Sequence, residues 1–181
     1  PIVVGQDFDR NFSADIDYTL VAAGTMANPH VIVLEAADND LAEVPATKLI
    51  WRMVHAAPGG PTVDVYLTAP EAGIAAPQYI ATLGFPTATT KQELTLTRQP
   101  GEEENSALFV NMTFELRETG TGTVLYNSGA LGFTERNRLL FAITPNAGAL
   151  GASPFQLTSL AFDSSGALLR DPSDPAAVRL V

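Results

Sequence analysis

The chain has 181 residues with 20 acidic and 10 basic side chains, which gives a net charge of -10. Nucleic acids and anionic membrane surfaces are bound through clustered lysine and arginine, so this charge argues against both as partners. No cysteine is present, which excludes disulfides, thiolate metal sites and a cysteine nucleophile.

Apolar and polar residues alternate in short runs along the chain, and Gly, Pro, Asn and Asp bound these runs. In chain order, the predicted strands are 16–21, 31–34, 48–54, 63–67, 92–97, 108–118, 124–126, 139–143, 155–160 and 178–181. About ten short strands at this spacing predict an all-β fold, an immunoglobulin-like antiparallel β-sandwich.

One window, 69–83, is long enough for a helix, but Pro70, Gly73 and Pro77 interrupt it, so at most a short turn is expected there. No window approaches the roughly 20 apolar residues that a membrane helix needs, so no membrane span is expected. The chain opens at Pro1 without a basic and apolar leader, and any signal peptide is therefore expected to lie outside this sequence.

Two pairs of segments resemble each other at nearly the same offset. Residues 28–34 echo 153–160 at an offset of 125, and 51–54 resemble 178–181 at an offset of 127. A near-constant offset indicates an internal repeat of that period. The alternative is chance similarity, because short β segments are alike in composition.

The repeat predicts a division of the chain. Residues 47–175 would form one complete β-sandwich repeat, and 176–181 would be the first strand of a following repeat. Residues 1–46 would be either the terminal strands of a preceding repeat or accessory strands of the same sandwich. Orphan strands leave open sheet edges, so a third alternative is exchange of strands between molecules.

Residues 55–66 read His-Ala-Ala-Pro-Gly-Gly-Pro-Thr-Val-Asp-Val-Tyr and follow Trp-Arg-Met-Val at 51–54. This run resembles the signature of a bacterial domain of unknown function, the one numbered 4397, and the resemblance covers most of the chain if the repeat is real. The family's frequent Asp after the first proline is Gly59 here, which leaves the role of that Asp in doubt. The resemblance implies an exported β domain, extracellular, at the cell surface or periplasmic, often in tandem and without established catalytic activity.

The same motif indicates a strand, a tight turn and a second strand. His55 ends the first strand, and a hydrogen bond from it to Asp64 or to the backbone would hold a hairpin together. A catalytic His–Asp pair would need a nucleophile, and the sequence has no Gly-x-Ser-x-Gly elbow. We therefore assign no catalytic residue and a structural role to the motif residues His55, Pro58, Pro61, Asp64 and Tyr66.

Other candidate sites are weaker. Asp38, Asp40 and Glu43 could contribute oxygens to a calcium ion, although no EF-hand loop is present and Asx turns explain such residues equally. No cofactor is otherwise expected. Asn111 opens an Asn-Met-Thr glycosylation triplet in the middle of a predicted strand. Sugar could stack on outward-facing aromatic rings, for which the candidates are Trp51, Tyr18, Tyr66, Tyr79 and Tyr126.

The sequence therefore favours a non-catalytic, exported structural, adhesive or assembly module that associates with itself through β-strand pairing. The alternative is a carbohydrate- or calcium-binding module that uses acidic loops and exposed aromatic rings.

Overall fold

The computed structural model of the protein describes residues 11–14, 16–25, 27–37, 44–98, 101, 103, 106–146, 153–161, 166–169 and 171–172. Within these ranges the strands are β1 (Ile16–Thr25), β2 (Asn28–Ala37), β3 (Lys48–His55), β4 (Val63–Ala69), β5 (Ile74–Leu83), β6 (Gln92–Thr95), β7 (Phe109–Glu118), β8 (Val124–Asn127), β9 (Leu131–Thr134), β10 (Arg138–Pro145), β11 (Phe155–Ala161) and β12 (Gly166–Leu169). None of the described residues belongs to a helix that is long and apolar enough to cross a membrane.

The strands form two large sheets and one separate hairpin. The β3 sheet has the order β12-β11-β10-β3-β6, and the β4 sheet has the order β5-β4-β7-β8, with β9 paired to the start of β7. Neighbouring strands are antiparallel throughout, except for the parallel pair β3–β10. The two sheets pack face to face, so the predicted all-β sandwich is confirmed.

The core lies between the two sheets, and the alternating residues predicted from the sequence supply it. Every second residue of β4, and of β7 from Val110 to Leu116, is buried, and the residues between them are half-buried on the outer face. Trp51 of β3 packs edge-on against Phe114 of β7, with ring centroids 5.1 Å apart. Phe114 in turn contacts Phe141 of β10 at 4.7 Å. Interlocking aromatic rings from both sheets thus join the two layers.

The hairpin of β1 and β2 lies against the outer face of the β3 sheet. Its inner side chains Ile32 and Leu34 are buried in a second apolar cluster with Val54, Leu140 and Ala142. This cover explains why β3 is buried on both faces, with only Lys48 and Arg52 half-buried, whereas β4 alternates strictly. The two-stranded hairpin is therefore attached to the sandwich by apolar burial rather than by strand pairing.

Three strands were not predicted. The window 69–83 contains only a 3-10 turn at Pro70–Ala72, as expected, but its remainder is the strand β5. Pro77 is tolerated there because β5 is an edge strand and needs fewer backbone donors. β9 and β12 have four residues each and were missed because runs this short carry little periodicity. The predicted strand 178–181 lies outside the described residues.

The prediction that residues 55–64 connect the two strands of a hairpin is wrong. β3 and β4 belong to different sheets, so the chain crosses from one layer of the sandwich to the other between them. β3 pairs with β10 and β6, whereas β4 pairs with β5 and β7. Adjacent apolar strands do not reveal from sequence alone whether they share a sheet, because both arrangements bury the same faces.

Candidate functional site

His55 closes the crossing between the two sheets. Its side chain is fully buried, and its Nε2 lies 3.1 Å from the carbonyl oxygen of Pro61. The backbone N–H of Ala57 donates to its Nδ1 at 3.4 Å. Both ring nitrogens are therefore engaged with the backbone. The structure supports the backbone version of the predicted role and not the His55–Asp64 bond.

The hydrogen-bond pattern fits a neutral imidazole. Nε2 carries the hydrogen that is donated to Pro61, and Nδ1 accepts from Ala57, so a second ring proton would displace an existing bond. Burial lowers the pKa of His55 below its ordinary value of 6.5, and this effect outweighs the backbone hydrogen bonds that raise it. A neutral histidine held by two backbone groups is a structural element rather than a poised base.

The turn between Pro58 and Pro61 depends on its two glycines in different ways. Gly59 has φ of +73°, a conformation that side chains rarely adopt, and nothing surrounds the position where its Cβ would be. Gly60 lies beneath Phe155, and a Cβ there would be 2.8 Å from Cε1 of that ring. The ring of Phe155 also packs edge-on against His55, with centroids 5.5 Å apart. The turn is therefore part of the packing at this end of the sandwich.

Asp64 points to the outer face of the β4 sheet, away from His55. Its Oδ1 accepts from the hydroxyl of Thr82 at 2.5 Å and from the hydroxyl of Thr119 at 2.9 Å. Thr82 belongs to β5, and Thr119 follows β7. The carboxylate thus links three neighbouring segments at one end of this sheet.

Tyr66 lies two residues further along the same outer face. The guanidinium of Arg117 lies over its ring, 4.2 Å from the centroid, and Glu115 accepts two hydrogen bonds from that guanidinium. Tyr79 of β5 packs edge-on against Tyr66 at 5.8 Å, and about half of its side-chain surface is exposed. This face therefore carries two aromatic rings beside hydrogen-bonding groups. Sequence analysis named the two tyrosines but missed Thr82, Glu115, Arg117 and Thr119, which are distant in sequence.

The other aromatic candidates divide between core and surface. Trp51 and Tyr126 are buried in the core, so neither contributes to a sugar-stacking face. Tyr18 lies on β1, which does not belong to the β4 sheet, and its ring contacts Phe12. Of the five aromatic residues, only Tyr66 and Tyr79 are shown in mutual contact on an accessible face.

The predicted calcium ligands cannot be placed. Asp38, Asp40 and Glu43 lie outside the described residues. Among the residues that are described, no three histidine or carboxylate side chains come together as a metal site. Asn111 is half-buried and engaged: its amide donates to Glu71 Oε1 at 2.7 Å, and its backbone N–H donates to Glu71 Oε2 at 3.1 Å.

The β1–β2 hairpin presents a second accessible surface. Leu20 and Val33 are opposite each other in register, as are Ala22 and Val31, and none of these four belongs to the apolar cluster beneath the hairpin. About half of the surface of Leu20 is exposed, and the same holds for Phe12. We call Leu20, Ala22, Val31 and Val33 the outer face of the hairpin.

No family model, no curated protein and no solved structure matches this chain. The resemblance of the 51–66 motif to an exported bacterial domain thus stays a prediction from the motif residues.

Proposed function

We propose that this chain is a non-catalytic structural or assembly module that associates with further copies of itself through the β1–β2 hairpin. The observation that carries the proposal is the isolation of this hairpin. Among the residues that the structure describes, it forms a two-stranded sheet of its own, whereas β3 and β10, which it covers, are both internal strands of a five-stranded sheet. Exported location and tandem arrangement are parts of the proposal that depend on the sequence motif alone.

The outer face of the hairpin is unusual for a solvent-facing surface. An antiparallel sheet with one buried face ordinarily carries polar residues on the other. Here Leu20, Ala22, Val31 and Val33 lie at the centre of that face, beside the pair Tyr18 and Glu35, while Val21, Ala23, Ile32 and Leu34 pack in the apolar cluster on the inner face. A two-stranded sheet with apolar side chains on both faces gains stability when a second protein surface covers the exposed one.

The strand edges support the same proposal. An exposed edge presents unpaired backbone N–H and C=O groups, and proteins usually protect such edges with charges, proline or bulges. β1 contains one charged residue, Asp17, and no proline, and its pairing with β2 runs without a bulge over ten residues. By contrast, the edge strand β5 has Pro77 and two register shifts. The hairpin is therefore the better candidate for pairing between molecules.

Light scattering after size exclusion tests the proposal over a protein concentration from about 10 µM to about 1 mM. We expect the mass to rise with concentration for the native chain. Leu20→Lys should reduce this rise, because it places a charge on the outer face of the hairpin. Val124→Lys is the matched control: Val124 is equally exposed, at 50% against 52% for Leu20, but lies on β8. A monomeric profile at all concentrations would contradict the proposal.

A second candidate function has one specific observation in its favour. Tyr66 and Tyr79, with Arg117, form an accessible aromatic and hydrogen-bonding surface on the outer face of the β4 sheet. Sugar rings stack on such tyrosines while neighbouring polar groups bind the hydroxyls. Titration with a panel of soluble polysaccharides tests this function. Tyr79→Ala should abolish any binding, and Tyr18→Ala should leave it unchanged.

A further inference from the structure

The β1–β2 hairpin repeats the pairing of the β10–β11 hairpin. Ala23 pairs with His30 in the first hairpin, and Pro145 pairs with Phe155 in the second. Ala23 and Pro145, in the first strands, are 122 positions apart, and His30 and Phe155, in the second strands, are 125 apart. With these two offsets each residue pair of the β10–β11 ladder corresponds to a pair of the β1–β2 ladder. The offset of 125 is the one that sequence similarity indicates for β2 and β11.

The two hairpins also bury equivalent side chains. Phe155 and Leu157 of β11 face the core, and their equivalents on β2 are His30 and Ile32, of which Ile32 is buried beneath the hairpin. Ile143 of β10 is buried in the core, and its equivalent Val21 packs in the cluster beneath the hairpin. The facing of the side chains therefore agrees with the offset of 125, and on this basis we take β1 as the equivalent of β10 and β2 as the equivalent of β11.

The two hairpins differ in one neighbour. β10 lies between β11 and β3, and its pairing with β3 is parallel. β1 pairs with β2, and among the described residues it has no second neighbour. We propose that the free edge of β1 is a binding site for a parallel strand of the β3 type, and that residues 178–181 of a second copy provide this strand. This inference rests on the proposed function, because it names the partner and the register of the association.

The sequence of 178–181 identifies the occupant. Val-Arg-Leu-Val at these positions matches Trp-Arg-Met-Val at 51–54, the part of β3 that pairs with β10. β3 cannot itself leave its sheet, because Leu49, Trp51 and Met53 are buried in the core. A copy of the chain therefore offers one further sequence of this type, at 178–181, which lies outside the described residues.

The equivalence fixes the register. Phe141 pairs with Met53 in the parallel ladder, and their equivalents are Thr19 and Leu180. Leu140 pairs with Arg52, whose equivalents are Tyr18 and Arg179. Arg179 would then lie beside Tyr18. Glu35 pairs with Tyr18 from the opposite edge of β1, so the arginine and this carboxylate would lie on the same face of the enlarged sheet, one strand apart. In the proposed pairing, side chains of Thr19 and Leu180 point to the same face.

The test uses two single-cysteine variants in a chain that has no cysteine of its own. Thr19→Cys and Leu180→Cys proteins, one of them isotope-labelled, are mixed and oxidised, and the disulfide-linked dimers are resolved by mass. Paired Cα atoms on adjacent strands are about 4.8 Å apart, within the range that a disulfide spans. We expect mixed dimers in excess over a random mixture. The control, Thr19→Cys with Arg179→Cys, should give no excess, because Arg179 points to the other face of the added strand in the proposed pairing.

Competition and light scattering separate the possible failures. A synthetic peptide with the sequence of residues 173–181 should suppress the mixed dimer, and a scrambled peptide should not. If the native chain associates but the pair Thr19→Cys and Leu180→Cys shows no excess over the control pair, the strand assignment is wrong while the proposed function stands. If the native chain is monomeric and no mixed dimer forms, both are wrong. Melting curves of each variant establish that it is folded before it is mixed.

Discussion

The imidazole of His55 is joined to the carbonyl oxygen of Pro61 across the crossing between the two sheets, at 3.1 Å. His55 ends β3, and Pro61 lies two residues before β4 begins. The bond therefore ties the last residue of one layer to the entry of the other. Within the 51–66 motif, the side chain of His55 is thus hydrogen-bonded to backbone groups of Ala57 and Pro61.

This bond predicts a pH dependence of stability. The unfolded chain binds a proton on His55 at the ordinary pKa of 6.5, whereas burial lowers the pKa of His55 in the folded state. The free energy of unfolding therefore rises with pH between these two values. The contribution of neutral His55 is complete above pH 6.5 and is lost as the pH falls through the lowered folded-state pKa.

Thermal unfolding between about pH 8 and about pH 5 measures this dependence. The slope of Tm against pH below pH 6.5 should become shallower in His55→Gln. An unchanged slope in His55→Gln would show that His55 does not cause the dependence.

Gly60 should not tolerate a side chain. A Cβ at this position would be 2.8 Å from the ring of Phe155, and the ring is held against His55. We expect Gly60→Ala to lower the free energy of unfolding by about 1–3 kcal/mol, as overpacked cores do. Gly59→Asn is the control, since Asn tolerates positive φ and nothing surrounds that position. Urea denaturation compares the two variants, and equal stability would contradict the packing argument.

Asp64 should stabilise the end of the β4 sheet as a hydrogen-bond acceptor. Asp64→Ala removes the acceptor of both Thr82 and Thr119 and should cost about 1 kcal/mol. Asp64→Asn keeps the Oδ1 position that accepts both bonds, so it should be less destabilising. Chemical denaturation at neutral pH measures both. The argument is contradicted if the Asn variant is as unstable as the Ala variant.

Glu71 should contribute stability that depends on its charge. Burial raises the pKa of the Glu71 carboxyl, but the bonds from the side chain of Asn111 and from backbone N–H groups outweigh it, and the pKa lies below 4.5. The contribution is therefore present above pH 4.5 and is lost as the pH falls through the lowered pKa. Asn111→Ala should reduce it, because the side-chain donor is lost while the backbone N–H groups that bind Glu71 remain. Acid-induced unfolding of the native chain and this variant should converge at low pH.

The alternation of apolar and polar residues was sufficient to predict most of the strands and most of the core residues. Val110, Met112, Phe114 and Leu116 are buried in β7 because alternation in a strand fixes which side chains share a face. The same reasoning placed Val63 and Val65 inside and Asp64 and Tyr66 outside. It failed for β5, since Pro77 and the neighbouring alanines give no strand signal when an edge strand leaves them exposed.

The sequence by itself predicted the all-β sandwich, most of its strands and most of the residues buried between its sheets. Those properties depend on near neighbours, because side-chain alternation and turn geometry are set within a few residues. Only the tertiary structure decided that β3 and β4 lie in different sheets, that Asp64 binds Thr119, 55 residues away, and that β1 and β2 cover the outer face of the β3 sheet. These relationships join distant segments, and they arise because two apolar sheets must cover each other whatever the order of their strands.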